Sequence, residues 1–253
     1  MSDPANPKIN DLSSAVAAPP RAGIDDDARP YTPPLPSAAS RKISLRSKGS
    51  LRGSLVVSVD EIRQVAIESH IEKSVLLWLA THPEVVRIQE QPAAVPYMDH
   101  DDVLRHHTFD LLVHFVDGRR IFYAVKDERR ARKHDVAGFL RHIAPQIPKS
   151  IADGVTLYTE RTLSPAMISN ARLIHAVRRD PPHAADHAVL DLLAEIKGTV
   201  RIADLVAAST HGAAAFRAIV RLIAKRVLLH TTDERIDYGT RVTVAAERIG
   251  EVA

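Results

Sequence analysis

Phe109-Asp110-Leu111-Leu112-Val113-His114-Phe115-Val116, then Asp117-Gly118, then Arg119-Arg120-Ile121-Phe122-Tyr123-Ala124-Val125-Lys126, is the stretch that decides how this chain is read. Two runs rich in β-branched and aromatic residues flank an Asp-Gly pair, a β-hairpin signal. Loop length then sets which side chains share a face. A two-residue loop, Asp117-Gly118, would set Asp110 opposite Val125 and send Asp110 and Lys126 to opposite faces. A three-residue loop, Val116-Asp117-Gly118, with Gly118 left-handed, sets Asp110 opposite Ala124 with Lys126 diagonally beside it. That register also gathers Leu111, Val113, Phe115, Ile121, Tyr123 and Val125 on one apolar face, and sends Asp110, His114, Ala124 and Lys126 to the other. Burial and chemistry favour the same odd-length loop.

Working outward, the 253 residues, 45% hydrophobic, can bury one good core and a smaller second one. The formal net charge is only +3, so a polyanion partner must be argued from local clusters and not from a global field. There is no cysteine, which excludes thiolate zinc sites, disulfides and cysteine nucleophiles and suits a reducing cytoplasm. No apolar run approaches the roughly 20 residues that span a bilayer, and no signal-peptide pattern opens the chain. The expectation is a soluble, cytoplasmic protein with no membrane partner.

Half of the 16 prolines precede residue 40, in an Ala/Ser/Pro-rich segment without apolar periodicity. Residues 1–40 therefore read as a disordered tail. Residues 41–58 read as a basic arm, in which Arg41, Lys42, Arg46, Lys48 and Arg52 occur with no acid between them. They suit either a DNA-tracking arm or a solvated linker. Residues 59–180 read as one α/β domain. It begins with a helix over Val59–Ala80, whose apolar stripe is Val65, Ile67, Ile71, Val75, Leu76 and Leu79. Strands follow at Glu84–Gln89 and Ala94–Met98, then the hairpin, a helix from Asp127 to Ala144, a strand over 155–159, and a helix starting at Ser164-Pro165. Pro181-Pro182 mark a boundary. Residues 183–253 read as a small winged-helix-like domain, with helices over His187–Lys197, Arg201–Ser209 and His211–Leu229 and a hairpin over Leu228–Val244 turning at Thr232-Asp233-Glu234. In its third helix Arg217, Arg221 and Lys225 share a face at four-residue steps. That face suits either a DNA major groove or a solvated side of a partner-binding module.

Carboxylates bind a hard cation such as Mg²⁺, and a lysine beside them can orient an attacking water or neutralise a phosphorane. Asp110 and Lys126 alone are a weak signal. A longer pattern strengthens it: Ser69-His70-Ile71-Glu72-Lys73-Ser74-Val75-Leu76-Leu77-Trp78-Leu79, then His82-Pro83-Glu84-Val85-Val86-Arg87-Ile88-Gln89-Glu90-Gln91-Pro92, then His107-Thr108-Phe109-Asp110-Leu111-Leu112-Val113 and Tyr123-Ala124-Val125-Lys126. In order and spacing, roughly over residues 45–180, this resembles the N-terminal domain of TnsA, the endonuclease subunit of Tn7-like heteromeric transposases. The resemblance implies a mixed-sheet restriction-endonuclease-like core followed by the winged-helix-like domain. It also implies Mg²⁺- or Mn²⁺-dependent phosphodiester hydrolysis at the 5′ ends of a mobile element, beside a TnsB-type transposase and under a TnsC-type ATPase regulator. Carried over, Glu72 and Asp110 are the metal ligands and Lys126 the catalytic lysine. Ala124 stands where that family has Glu or Gln, so the Val125 carbonyl is left as the third ligand, and a catalytically weakened or inactive assembly subunit is the alternative.

Other features weigh less. Glu68, one turn before Glu72, reads as a supporting carboxylate or a solvated helix residue. Asp99-His100-Asp101-Asp102 with His106-His107 reads as a second metal site or an exposed acidic loop. Asp127–Lys133 reads as a phosphate contact or a charged helix start with a Glu128–Arg132 pair. Trp78 reads as core. No Gly-rich phosphate loop or nucleophile elbow is present. A winged-helix regulator with an unrelated N-terminal domain would leave the order Glu72, Asp110, Lys126 without a purpose.

Overall fold

A computed structural model describes residues 32–40, 52–181, 183–230 and 234–245. Two units are distinguished: Met1–Pro33, of which only residues 32 and 33 are described, and Pro34–Ala253, which carries every element. The expected tail over 1–31, Arg41, Lys42, Arg46 and Lys48 of the basic arm, Pro182, and Thr232-Asp233 of the last turn lie outside the described residues. In chain order the elements are β1 (Gly53–Ser58), β2 (Ile62–Ile67), α1 (His70–Ala80), β3 (Val85–Glu90), β4 (Val95–Met98), β5 (Leu104–His107), β6 (Leu111–Phe115), β7 (Arg120–Val125), α2 (Glu128–Lys133), α3 (Val136–Ile143), a 3-10 turn (Ala144–Gln146), β8 (Gly154–Tyr158), α4 (Pro165–Val177), α5 (Ala184–Glu195), β9 (Thr199–Arg201), α6 (Ile202–Ser209), α7 (Ala213–Ala224), β10 (Leu228–His230) and β11 (Arg241–Val244).

The deciding hairpin takes the odd-length loop. β6 and β7 pair antiparallel with Leu111 opposite Tyr123, Val113 opposite Ile121 and His114 opposite Arg120. Phe115 N–H donates to Arg119 O at 2.9 Å and Gly118 N–H to Phe115 O at 2.9 Å, so Val116, Asp117 and Gly118 form the loop. Gly118 sits at φ 86°, a conformation that a Cβ disfavours. The expected faces follow. Leu111, Val113, Tyr123 and Val125 join one buried cluster, with Phe115 and Ile121 packed against it. Leu112, Phe122 and Ala124 join another.

The central sheet is mixed, in the order β3-β6-β7-β8, with β8 parallel to β7. One face is covered by α1, the β1–β2 hairpin and the start of α4, through Val57, Val65, Val75, Leu76, Leu79 and Leu163. The other is covered by α3 and β4, through Leu140, Ile143 and Val95, with the Phe109 and Phe122 rings stacked at 4.3 Å. Trp78 packs against the first cluster, as expected.

Three local expectations are corrected. The helix expected over Val59–Ala80 is instead the β1–β2 hairpin followed by α1. The residues Ile62–Ile67 bury Val65 and Ile67 at every second position, a strand period that the helical stripe absorbed by coincidence. The true start was written in the sequence as Ser69-x-x-Glu72, a capping-box pattern. The helix expected from Asp127 to Ala144 breaks into α2 and α3 at Asp135, which takes φ 40° and caps Gly138 N–H. Residues 104–107 form β5 against β4, a strand that the polar Leu-Arg-His-His run concealed.

Beyond α4, the helices α5, α6 and α7 bury their own cluster, which includes Val189, Leu193, Leu205, Ile219 and Val242. A small antiparallel sheet in the order β10-β11-β9 flanks them. Its β9 strand was not expected. The N-terminal part of the unit also departs from expectation. Pro34–Ser40, assigned by composition to the tail, docks instead. Leu35 bridges Arg63 of β2, Ser37 Oγ and Ala38 N–H donate to Glu90 Oε1, and Ser40 N–H donates to Gln91 O at 2.9 Å. Among the described residues no helix is long and apolar enough to cross a membrane.

Candidate functional site

Asp110 and Lys126 lie just beyond the last ladder pair at one end of the β6–β7 hairpin. Asp110 is fixed by its backbone, donating to Tyr123 O at 3.1 Å and accepting from Gln91 N–H at 2.9 Å. Lys126 is held by its N–H donating to Tyr158 O of the parallel neighbour at 3.0 Å. Their side chains meet: Lys126 Nζ lies 3.0 Å from Asp110 Oδ2 and 3.4 Å from Oδ1. Oδ2 also accepts the Val125 N–H at 2.6 Å. The Lys126 side chain keeps 39% of its surface exposed and Asp110 18%, so the pair is open on one side. It acts more through positioning than through net stability.

Glu72, in the first turn of α1, lies near enough to Asp110 and Lys126 to feel both charges. Ser69 caps the helix, its Oγ accepting the Glu72 N–H at 3.1 Å, and Glu72 Oε2 accepts the Glu68 N–H at 2.8 Å. These bonds hold the carboxylate at the helix N-terminus. Burial raises the Glu72 pKa most, and the nearby Asp110 carboxylate raises it further. The Glu68 N–H, the Ser69 hydroxyl and the Lys126 ammonium oppose the rise. Glu72, Asp110 and Lys126 therefore feel one another's charge, although they are far apart in sequence. The contribution of Glu68 that the hydrogen bonds record is its backbone N–H.

This carries a pH signature. The folded Glu72 keeps its proton to higher pH than the unfolded one, so the folded state binds more protons between the ordinary carboxylate pKa and the raised value. Its contribution to stability is greatest below that window and is lost as pH rises through it. Glu72→Gln abolishes this loss. The stability of the variant relative to wild type is expected to rise with pH through the window, read from thermal melts between about pH 4 and 8. A difference independent of pH would mean that the carboxylate is not under this strain.

Two carboxylates that repel one another beside a single lysine fit a hard divalent cation, which needs only one or two carboxylates and keeps several waters. Position 124 contributes nothing to such a site. Ala124 is 3% exposed and packed in the apolar cluster with Phe109, Phe122 and Leu140. Among the described residues no group of three or more His, Cys, Asp or Glu is placed to hold a metal ion.

One neighbour was not given a role here from sequence. His107, at the end of β5, has its ring edge-on to Phe109 at 4.7 Å and to Phe139 at 4.9 Å, and it lies in the field of both Asp110 and Lys126. Burial lowers its pKa, which favours the neutral imidazole. Only the unexpected β5 strand brings it there. In the Asp99 loop, by contrast, His100 packs its ring against His142 of α3 at 4.1 Å, and Asp99 is satisfied locally. Asp99 accepts from Asp101 N–H and Val103 N–H at 2.9 Å and pairs with Arg105 at 2.9 Å, which is a turn-stabilising role. Glu128 pairs with Arg132 at 2.6 Å, as the helix spacing predicts.

The cations proposed for DNA on α7 are differently used. Arg217 pairs with both oxygens of Asp180 at 2.6 Å, and Arg221 bridges Asp180 and Asp186 with only 14% of its side chain exposed. The rest of α7 is core: Ala215, Ala218, Ile219, Val220, Leu222 and Ile223 are all buried. Of the three cations, only Lys225, at the C-terminal end of α7, is exposed and without a carboxylate partner among the described residues. Arg52 is half-buried. A cleft of about 290 Å³, bordered by Trp78, His82, Asn170, Arg226 and Leu228, does not include Glu72, Asp110 or Lys126. Compared with protein-family models and with curated proteins, the chain matches none.

Proposed function

We propose that this chain is a TnsA-like DNA endonuclease, hydrolysing a phosphodiester at the 5′ ends of a mobile element in company with a TnsB-type transposase and a TnsC-type regulator. The observation that carries the reading is the hairpin register. It brings Asp110 and Lys126 into contact at the sheet end that Glu72 of α1 also approaches. The mixed sheet flanked by helices supports a restriction-endonuclease-like core. The order α5-β9-α6-α7-β10-β11, with sheet order β10-β11-β9, supports a winged-helix-like module. The buried α7 favours protein over DNA as the partner of that module.

In this reading Glu72, Asp110 and the Val125 carbonyl would hold Mg²⁺ or Mn²⁺, which would supply an activated water and offset phosphate charge. Lys126 lays its ammonium beside a non-bridging phosphate oxygen, where charge grows in the transition state. The Val125 N–H fixes the Asp110 carboxylate so that little reorganisation accompanies the reaction. The test is nicking of element-end DNA by the assembled complex. Asp110→Ala and Lys126→Ala are each expected to lower the rate by at least about 100-fold. A specific observation favours a second reading, an assembly subunit that keeps the fold without the chemistry: Ala124 is sealed in apolar packing where a ligand would stand. Equal, negligible cutting by wild type and both variants would select it.

A further inference from the structure

Half of the arginines among the described residues are matched to a carboxylate, among them Arg63, Arg87, Arg105, Arg119, Arg132 and Arg217. The arginines on and just after helix α4 are not. From Pro165 to Val177 the helix contains no acid, and Arg172, His175 and the following Arg179 recur at steps of three and four, the spacing of one helix face. Arg172 and Arg179 are exposed, and neither has an ion-pair partner among the described residues. The adjacent acid, Asp180, cannot serve them, because its carboxylate is taken by Arg217 and Arg221. Arg178 is turned aside, donating to Ala80 O at the end of α1.

The group extends across the helix packing. α1 lies against α4, and Lys73 of α1 joins Arg178 and Arg179 in setting a positive field at the His175 ring. Burial first, and then this field, lowers the His175 pKa and favours its neutral ring, whose buried Nδ1 has no hydrogen-bond partner among the described residues. Like charges gathered without counter-ions destabilise a fold, so such a group points to an anion supplied from outside. Lys73 directly follows Glu72 in the first turn of α1, on a different side of the helix.

We propose that Arg172 of α4 and Arg179 just beyond its end, with Lys73 of α1, form a docking surface for the sugar–phosphate backbone of duplex DNA. This rests on the endonuclease reading for its choice of polyanion. A duplex cut at Glu72, Asp110 and Lys126 continues past the scissile phosphate, and this face receives the continuing strand. Its contacts are to phosphates, so it confers affinity and orientation without sequence preference. Arginine forks and a lysine point charge both suit that task.

The experiment is fluorescence anisotropy of the full chain with a labelled random-sequence duplex, in chelator, across a series of NaCl concentrations. The slope of log Kobs against log salt is expected to flatten by about one for each phosphate contact removed, so by about two in Arg172→Gln/Arg179→Gln and further on adding Lys73→Gln. Arg141→Gln, an exposed cation on α3, leaves the slope unchanged. Because no metal is present, the result stands apart from cleavage: a flattened slope in a chain that never nicks DNA upholds the surface and sinks the endonuclease reading. An unchanged slope in the triple variant overturns the surface, as does equal flattening by Arg141→Gln. Loss of binding to polyglutamate with DNA binding intact overturns it too, and assigns the face to an acidic protein.

Discussion

Arg221→Ala is expected to destabilise the folded chain by about 3 kcal/mol, and to leave its affinity for DNA unchanged while it remains folded. The guanidinium is largely enclosed and joins Asp180, between α4 and α5, to Asp186, in the first turn of α5. Asp186 also accepts the His183 N–H in a capping box, so Arg221 ties α7 to the start of α5. Deleting it leaves Asp186 partly buried without its cation, and Asp180 with Arg217 alone. A urea titration read by circular dichroism measures the loss through the midpoint. An unchanged midpoint together with tenfold weaker DNA binding would return Arg221 to the nucleic-acid surface assigned from its helical spacing.

The second large effect is expected at position 124. Restoring an acid there looks at first like repair of the candidate site, but Ala124 is 3% exposed and its neighbours are Phe109, Phe122, Leu140 and Ile143. Ala124→Glu forces a carboxylate into that packing, beside Asp110 in the register set by the hairpin. In chelator the variant is expected to lose about 2–4 kcal/mol through overpacking and desolvation. A divalent cation binding only the folded state regains about 2.7 kcal/mol at one hundred times its Kd. Thermal melts with and without Mn²⁺ read both. A metal-dependent gain larger in the variant than in wild type places the new carboxylate at a shared cation site with Asp110. Equal gains place it elsewhere.

The parts of this architecture that were legible are those where one physical constraint acts over a short span. The Val116-Asp117-Gly118 loop and the two faces of β6 and β7 followed from period-two burial and one glycine, and Ser164-Pro165 marked the start of α4. The β1–β2 hairpin was obscured because Val65 and Ile67 satisfy a strand period and, with Ile71 and Val75, a helical one. β5 was obscured because Leu104 to His107 carry almost no buried surface and are ordered by pairing with β4. The α7 cations matched a recognition helix by spacing, but their partners, Asp180 and Asp186, come from another part of the chain. Of the candidate site, residue identity and hairpin register were readable. The approach of His107, and the enclosure of Ala124 by α3, depend on packing that no local pattern encodes.

The docking of Pro34–Ser40 bears on how far this chain can be trimmed. Glu90 is 1% exposed, and among the described residues its side chain accepts from Ser37 Oγ and Ala38 N–H. Composition would have anyone trim the chain at residue 41, just where the proline-rich region gives way to basic residues. A chain shortened there strips a fully enclosed carboxylate of both these donors, at the end of the strand whose next residue braces Asp110. What looks like dispensable leader is thus a structural tenon, and a minimal version of this protein starts no later than Pro34.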